Sequence, residues 1–119
     1  MTALWIALVL AVIDGDTLRV QVQLWPGQTL ETMVRVDGID TPEVHGKCAY
    51  EKRRALEARQ AVVDLVAGKP VALYHPSQDK YGRWLASVVT FDGRDIAASL
   101  LKQDLARLYH GGTRGGWCD

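Results

Sequence analysis

A chain of 119 residues is long enough for one domain with a single hydrophobic core and too short for a second one. Its hydrophobic fraction of 48% and charged fraction of 24% are typical of a globular protein and argue against disorder. The 14 basic side chains balance the 14 acidic ones, so net charge indicates no particular partner, and a polyanion could bind only at a local patch.

The N-terminal segment contains an apolar run, Ala3 to Ile13. It lacks the cationic start and small-residue cleavage site of a signal peptide, and it is too short to span a bilayer. We therefore predict a buried strand in its second half and expect no membrane segment. Asp14-Gly15 then predicts a hairpin turn into a second strand over residues 17–24, where apolar and polar residues alternate.

The next elements are a third strand, predicted from Thr29 to Ile39, and a helix from Cys48 to about Ala67. Pro42 ends regular structure between them. Apolar residues in the helix recur at spacings of three and four, which is typical of an amphipathic helix whose mixed charges form a solvated face.

Two further strands are predicted at Val71–His75 and Trp84–Phe91, followed by a short helix over residues 96–103 with Asp95 as its N-cap. Residues 110–119 form a glycine-rich C-terminal tail of this single domain, residues 1–119. The predicted fold class is α+β and mainly β: a five-stranded antiparallel barrel of the OB type with one long and one short helix.

Three short segments combine charged residues with turn-forming ones: Ile-Asp-Gly-Asp-Thr at 13–17, the stretch 35–43, and Asp-Lys-Tyr-Gly-Arg at 79–83. The predicted hairpin could bring the carboxylates of the first two together. Such a cluster would repel a phosphate chain unless a hard divalent cation, which prefers oxygen ligands, reversed the local charge. The segments contain no His or Cys, which argues against zinc. The five carboxylates are Asp14, Asp16, Asp37, Asp40 and Glu43.

These three segments, in this order and spacing, resemble the motifs of the staphylococcal nuclease (thermonuclease) family, in its short bacterial form. The resemblance extends from the first strand to about Tyr109. It implies an OB barrel and calcium-dependent hydrolysis of DNA and RNA phosphodiesters to 3'-phosphate and 5'-hydroxyl products. We expect the protein to prefer single-stranded nucleic acid as its substrate and to be a monomer.

The resemblance also implies roles for the acidic residues. Asp16 and Asp40 are expected as carboxylate ligands of Ca²⁺ and Thr41 as a ligand through its backbone carbonyl, with Asp14 behind them. Glu43 is expected to accept a proton from the attacking water or to orient that water. For Asp14, as for Asp37, a plain turn-forming role before glycine is the alternative.

Basic and aromatic residues are expected to bind the substrate. Arg35 and Arg83 offer planar forks that bind phosphate oxygens in pairs and stay charged at any working pH. By the resemblance, Lys80 and Tyr81 help to hold the terminal phosphate. Tyr109 or His110 could stack on a base.

Two other functions are compatible with such a barrel. A non-catalytic OB-fold nucleic-acid-binding module is one, but loss of the acidic ligands is its usual mark, and every expected ligand is present here. A structural interaction domain is the other, and it leaves the carboxylate cluster unexplained. We therefore favour the nuclease. Because the chain has no net charge, its attraction to nucleic acid should be weaker than that of a basic protein and more easily screened by salt.

Cys48 and Cys118 allow at most one intrachain disulfide and do not form a metal-finger pattern. A glycine-rich tail should fray unless it is anchored, so we predict a bond between them, with Trp117 packed beside it. The alternative is two separate thiols in a cytoplasmic protein, which the missing signal peptide supports. The compartment is therefore open: exported or periplasmic with the bond, cytoplasmic without it.

Overall fold

The computed structural model describes residues 4–112 and 115–118. In chain order the elements are β1 (Leu4–Asp14), β2 (Thr17–Trp25), β3 (Gln28–Val36), β4 (Ile39–Asp40), α1 (Ala49–Val66), β5 (Val71–Gln78), β6 (Trp84–Val89), α2 (Ile96–Lys102) and β7 (Arg107–Leu108). Five strands close into a barrel in the order β1, β2, β3, β6, β5, and β4 and β7 form a separate two-stranded sheet. The predicted barrel with one long and one short helix is confirmed.

One strand pair differs from the antiparallel barrel that we predicted. β3 and β6 run parallel, while the other four pairs of the barrel are antiparallel. The reason is geometric: directions cannot alternate all the way around a closed ring with an odd number of strands. The parallel pair occurs where β4, α1 and β5 intervene in the chain, because only such a long crossover can return a strand in the same direction.

The barrel interior is filled by the alternating apolar residues of its strands. Leu18, Val20 and Val22 of β2 are completely buried, as their spacing of two predicts. β1 is longer than predicted, because its first half pairs with β5 and its second half with β2. It is also less buried than its apolar run suggested, since residues on its outer face, such as Leu8, are about half exposed.

Helix α1 closes one side of the barrel through small side chains. Ala55, Ala58, Val62 and Val66 are buried, whereas the larger side chains of Leu56 and Val63 are exposed. The alanines allow a close approach: a Cβ on Gly15 would lie 3.0 Å from Ala58 Cβ and 3.1 Å from Thr41 Cγ2. The β1–β2 turn therefore sits directly against α1 and the loop that follows β4.

Several element boundaries differ from the predictions. The Asp37-Gly38 turn divides the predicted third strand into β3 and β4, and β4 pairs with β7, a strand that the sequence did not indicate. β5 continues beyond His75 to Gln78 across a register shift, and β6 ends at Val89, two residues earlier than predicted. These differences arise where pairing with a distant partner, not local pattern, determines the strand.

A disulfide between Cys48 and Cys118 joins the start of α1 to the end of the chain, 70 residues later. Closing a loop of this length stabilises the fold by about 4 kcal/mol in the chain-entropy model. The described tail is also held by Arg107, whose Nη2 donates to the carbonyls of Gly115 and Gly116 at 2.8 Å. No helix in the described part of the chain has the length and apolar character needed to cross a membrane.

Candidate active site

An open cleft of about 590 Å³ brings the three charged segments together. The β1–β2 turn, the strand β3 with the loop after β4, and the β5–β6 loop each contribute side chains to it. The lining residues are Asp14, Asp16, Thr17, Arg35, Glu43, His45, Lys80, Tyr81, Arg83, Tyr109 and Gly112.

A buried ion pair lies in the wall of this cleft. Arg35 Nη1 is 3.3 Å from Asp16 Oδ2, and the two side chains are 11% and 5% exposed. Asp16 Oδ2 also accepts from the Thr41 N–H at 3.0 Å, while Oδ1 accepts from the Thr17 hydroxyl at 2.9 Å. A buried pair is stable only when such additional hydrogen bonds compensate the loss of water. Both groups are therefore held in place before any ligand binds.

Arg83 is oriented by its own loop. Its Nε donates to Asp79 Oδ2 at 2.7 Å, and Asp79 Oδ1 accepts from the backbone N–H groups of Tyr81 and Arg83, both at 2.9 Å. Burial would raise the pKa of the Asp79 carboxyl, but these hydrogen bonds outweigh it and the pKa lies below its ordinary value. The carboxylate that holds Arg83 is thus ionised at neutral pH.

The parallel pairing of β3 and β6 places the two arginines on one side of the barrel. Arg35 is paired with Leu85, and Arg83 precedes Leu85 by two residues, which puts all three on the same face. All three line the groove that continues from the cleft. No local pattern in the sequence predicts this juxtaposition.

The rim of the cleft is aromatic and cationic. Tyr81 is 72% exposed, with Lys80 Nζ 5.3 Å and Arg83 Cζ 5.5 Å from its ring centroid. The Tyr109 ring lies 5.9 Å from the Arg35 guanidinium, and its hydroxyl donates to the Gly112 carbonyl at 2.7 Å. His110, the other residue considered for stacking, lines the adjoining groove but not the cleft.

Asp40 and Thr41 lie behind the cleft and are almost completely buried. Asp40 Oδ2 accepts from Trp117 Nε1 at 3.2 Å and is 3.8 Å from Arg107 Nε. Within the described residues no group of three or more His, Cys, Asp or Glu could hold a metal ion. The candidate set of Asp16, Asp40 and the Thr41 carbonyl consists of oxygen donors only, the ligand type that Ca²⁺ prefers, and Thr41 lies next to Asp16 through its N–H.

Asp14 supports the loop that carries Glu43. Its Oδ1 accepts from the Val44 N–H at 2.7 Å. Burial raises the pKa of Asp14, opposed by this hydrogen bond and reinforced by the negative charges of Asp16 and Glu43. Of the five carboxylates considered together, Asp37 is exposed and lines the adjoining groove rather than the cleft, in keeping with the turn-forming alternative.

Glu51 is a site residue that the sequence analysis missed, because we placed it on the solvated face of the helix. It is only 7% exposed, and its two oxygens accept from the backbone N–H groups of Glu43 and Lys47, both at 3.1 Å. Gly46 makes room for it, since a Cβ there would lie 2.3 Å from Glu51 Cδ. The spacing Cys48-x-x-Glu51 matches a capping box with cysteine at the N-cap, and this signal could have indicated the role.

Glu51→Gln is expected to destabilise the fold by about 2 kcal/mol, because the amide nitrogen cannot accept one of the two backbone hydrogen bonds. Urea unfolding measures the loss. The matched control is Glu57→Gln on the same helix, whose side chain is 52% exposed beside Arg54 and should change stability by less than about 0.5 kcal/mol. Equal stability of the two variants would mean that the hydrogen bonds between Glu51 and the loop over residues 43–47 do not stabilise the fold.

The model of the family described as staphylococcal nuclease homologue matches residues 33–114 of this chain. The chain belongs to that family. This confirms the resemblance inferred from the three charged segments. In this staphylococcal nuclease homologue the matched range includes the two cleft arginines, Arg35 and Arg83, whereas Asp14 and Asp16 precede it.

Two relatives carry endonuclease names. A protein of Escherichia coli named as an uncharacterized endonuclease is 28% identical over 104 residues, which is 85% of this chain and 59% of that protein. The probable endonuclease lcl3 of Aspergillus fumigatus is 33% identical over 84 residues, 64% of this chain and 28% of that protein. The chain thus spans less than two thirds of the length of either relative.

Proposed function

We propose that this protein is a calcium-dependent nuclease that hydrolyses DNA and RNA to 3'-phosphate and 5'-hydroxyl products. The observation that supports this most directly is the single cleft in which Arg35, Arg83, Asp16 and Glu43 meet. Two guanidinium groups beside two carboxylates suit a reaction that must bind a phosphate and activate a water. Membership of the staphylococcal nuclease homologue family supports the same conclusion.

In this proposal Arg35 and Arg83 bind the scissile phosphate and stabilise the charge that develops on its oxygens. Asp16 and Asp79 hold the two side chains in place, so that little reorganisation is needed at the moment of reaction. Lys80 and Tyr81, exposed beside Arg83, help to hold the terminal phosphate of the substrate.

Glu43 accepts a proton from the attacking water or orients it toward phosphorus. The new P–O bond forms as the bond to the 5' oxygen breaks, and that oxygen leaves with a proton as a hydroxyl. Asp16, Asp40 and the Thr41 carbonyl would hold Ca²⁺. When bound, Ca²⁺ supplies positive charge that offsets the carboxylates and the phosphate.

The cleft is open, and Tyr109 is available in it for stacking on an unpaired base, which favours single-stranded substrates. We further propose that residues 1–119 act as one domain and as a monomer. The disulfide is compatible with an exported or periplasmic protein, because such bonds persist in oxidising compartments.

Purified protein is expected to cut single-stranded DNA and RNA when Ca²⁺ is added and to stop when a calcium chelator is in excess. The new 5' ends should accept phosphate from a polynucleotide kinase without prior phosphatase treatment. If Ca²⁺ binds but no cleavage occurs across salt and pH, the alternative of a non-catalytic nucleic-acid-binding module is correct.

A further inference from the structure

Trp117 contacts a proposed calcium ligand from the far end of the chain. Its indole Nε1 donates to Asp40 Oδ2 at 3.2 Å, across 77 positions of sequence. Asp40 is 1% exposed, so water competes little for this bond. An indole N–H can only donate a hydrogen bond, and here it donates to one oxygen of the Asp40 carboxylate. Because that oxygen is held, the contact restrains rotation of the carboxylate about its Cβ–Cγ bond.

Three attachments hold the indole in position. The Arg107 guanidinium stacks on it, with Cζ 3.8 Å from the ring centroid. The same guanidinium donates to the carbonyls of Gly115 and Gly116, the two residues before Trp117. The residue after it, Cys118, is bonded to Cys48. Arg107 is itself paired with Asp40 across the β4–β7 sheet, so one residue contacts both the tail and Asp40.

We propose that Trp117 is a positioning residue for Asp40 and that the disulfide acts on the metal site through it. The inference rests on the proposed function, in which Asp40 binds Ca²⁺. Groups that hydrogen-bond to a metal ligand fix its orientation, and their loss typically weakens metal binding about 10- to 100-fold. If the tail only stabilised the fold, loss of its contacts would lower the unfolding temperature without changing the calcium affinity of the folded protein.

Trp117→Phe keeps an aromatic ring for Arg107 and removes the N–H donor. Calorimetric titration of the folded variant with Ca²⁺ is expected to show a Kd about tenfold weaker than that of the wild type. The control is Trp25→Phe, in the β2–β3 hairpin, where the side chain is 70% exposed and the Kd should not change. An unchanged Kd in Trp117→Phe would refute this inference alone. A wild-type protein that binds no Ca²⁺ would refute the proposed function as well.

The double substitution Cys48→Ser with Cys118→Ser tests the part played by the disulfide. Serine is a good N-cap, so the start of α1 should be preserved. At a temperature where the protein is folded, Ca²⁺ binding should weaken by about the same factor as in Trp117→Phe. Adding Trp117→Phe should then cause no further loss, because both changes remove one contact. Losses that multiply in the combined variant would show that the disulfide acts independently of Trp117.

Discussion

Arg83→Lys is expected to lower kcat on single-stranded DNA by about 100-fold or more, the usual cost of losing one preorganised donor to a developing charge. In the structure Asp79 binds the Nε edge of Arg83, which fixes the plane of the guanidinium. Lysine keeps the positive charge but cannot pair with Asp79 and offer a planar fork to phosphate at the same time. Turnover at saturating substrate and Ca²⁺ is the measurement.

The matched control is Arg94→Lys. Arg94 also pairs with a nearby carboxylate, that of Asp92, but it lies at an exposed turn outside the cleft. Its kcat should stay close to the wild-type value. Near-normal turnover in Arg83→Lys would remove Arg83 from the catalytic residues.

Asp40→Asn should weaken Ca²⁺ binding by about 100-fold or more, because a direct ligand contributes at least as much as the groups that orient it. Asparagine keeps the shape of the side chain and loses its formal charge, on which a hard cation depends. Calorimetry measures the Kd, and the Ca²⁺ concentration for half-maximal cleavage should rise in parallel.

Asp37→Asn is the control for this effect. Asp37 is exposed in the turn between β3 and β4, whereas Asp40 is buried, so water and salt should screen the charge of Asp37 and leave it little influence on Ca²⁺. Asparagine is also well tolerated in such a turn. An unchanged Kd in Asp40→Asn would mean that Asp40 is not a ligand.

Short-range pattern in the sequence determined most of the secondary structure. The alternation of Leu18, Val20 and Val22 predicted the buried face of β2, and the spacing of Ala55, Ala58 and Val62 predicted that of α1. Asp95 was recognisable as the N-cap of α2, where its Oδ1 accepts from the Ala98 N–H. These signals are readable because the groups that interact lie within a few residues of each other.

The three charged segments likewise identified the family, and most of their charged residues do line one cleft. A sequence motif, however, indicates which chemical groups are present but not how they are arranged in space. That Arg35 and Arg83 share a face follows from the parallel pairing of β3 and β6, which barrel closure imposes and no local spacing encodes.

Tertiary structure alone decided what lies behind the cleft. Glu51 resembles any other charged residue of an amphipathic helix until the loop from Glu43 to Lys47 folds over it and donates two N–H groups to its carboxylate. Trp117 meets Asp40 only because the chain returns to β4 after the barrel has closed. The physical reason is the same in both cases: a buried polar group requires a partner, and the fold determines which distant group is in reach.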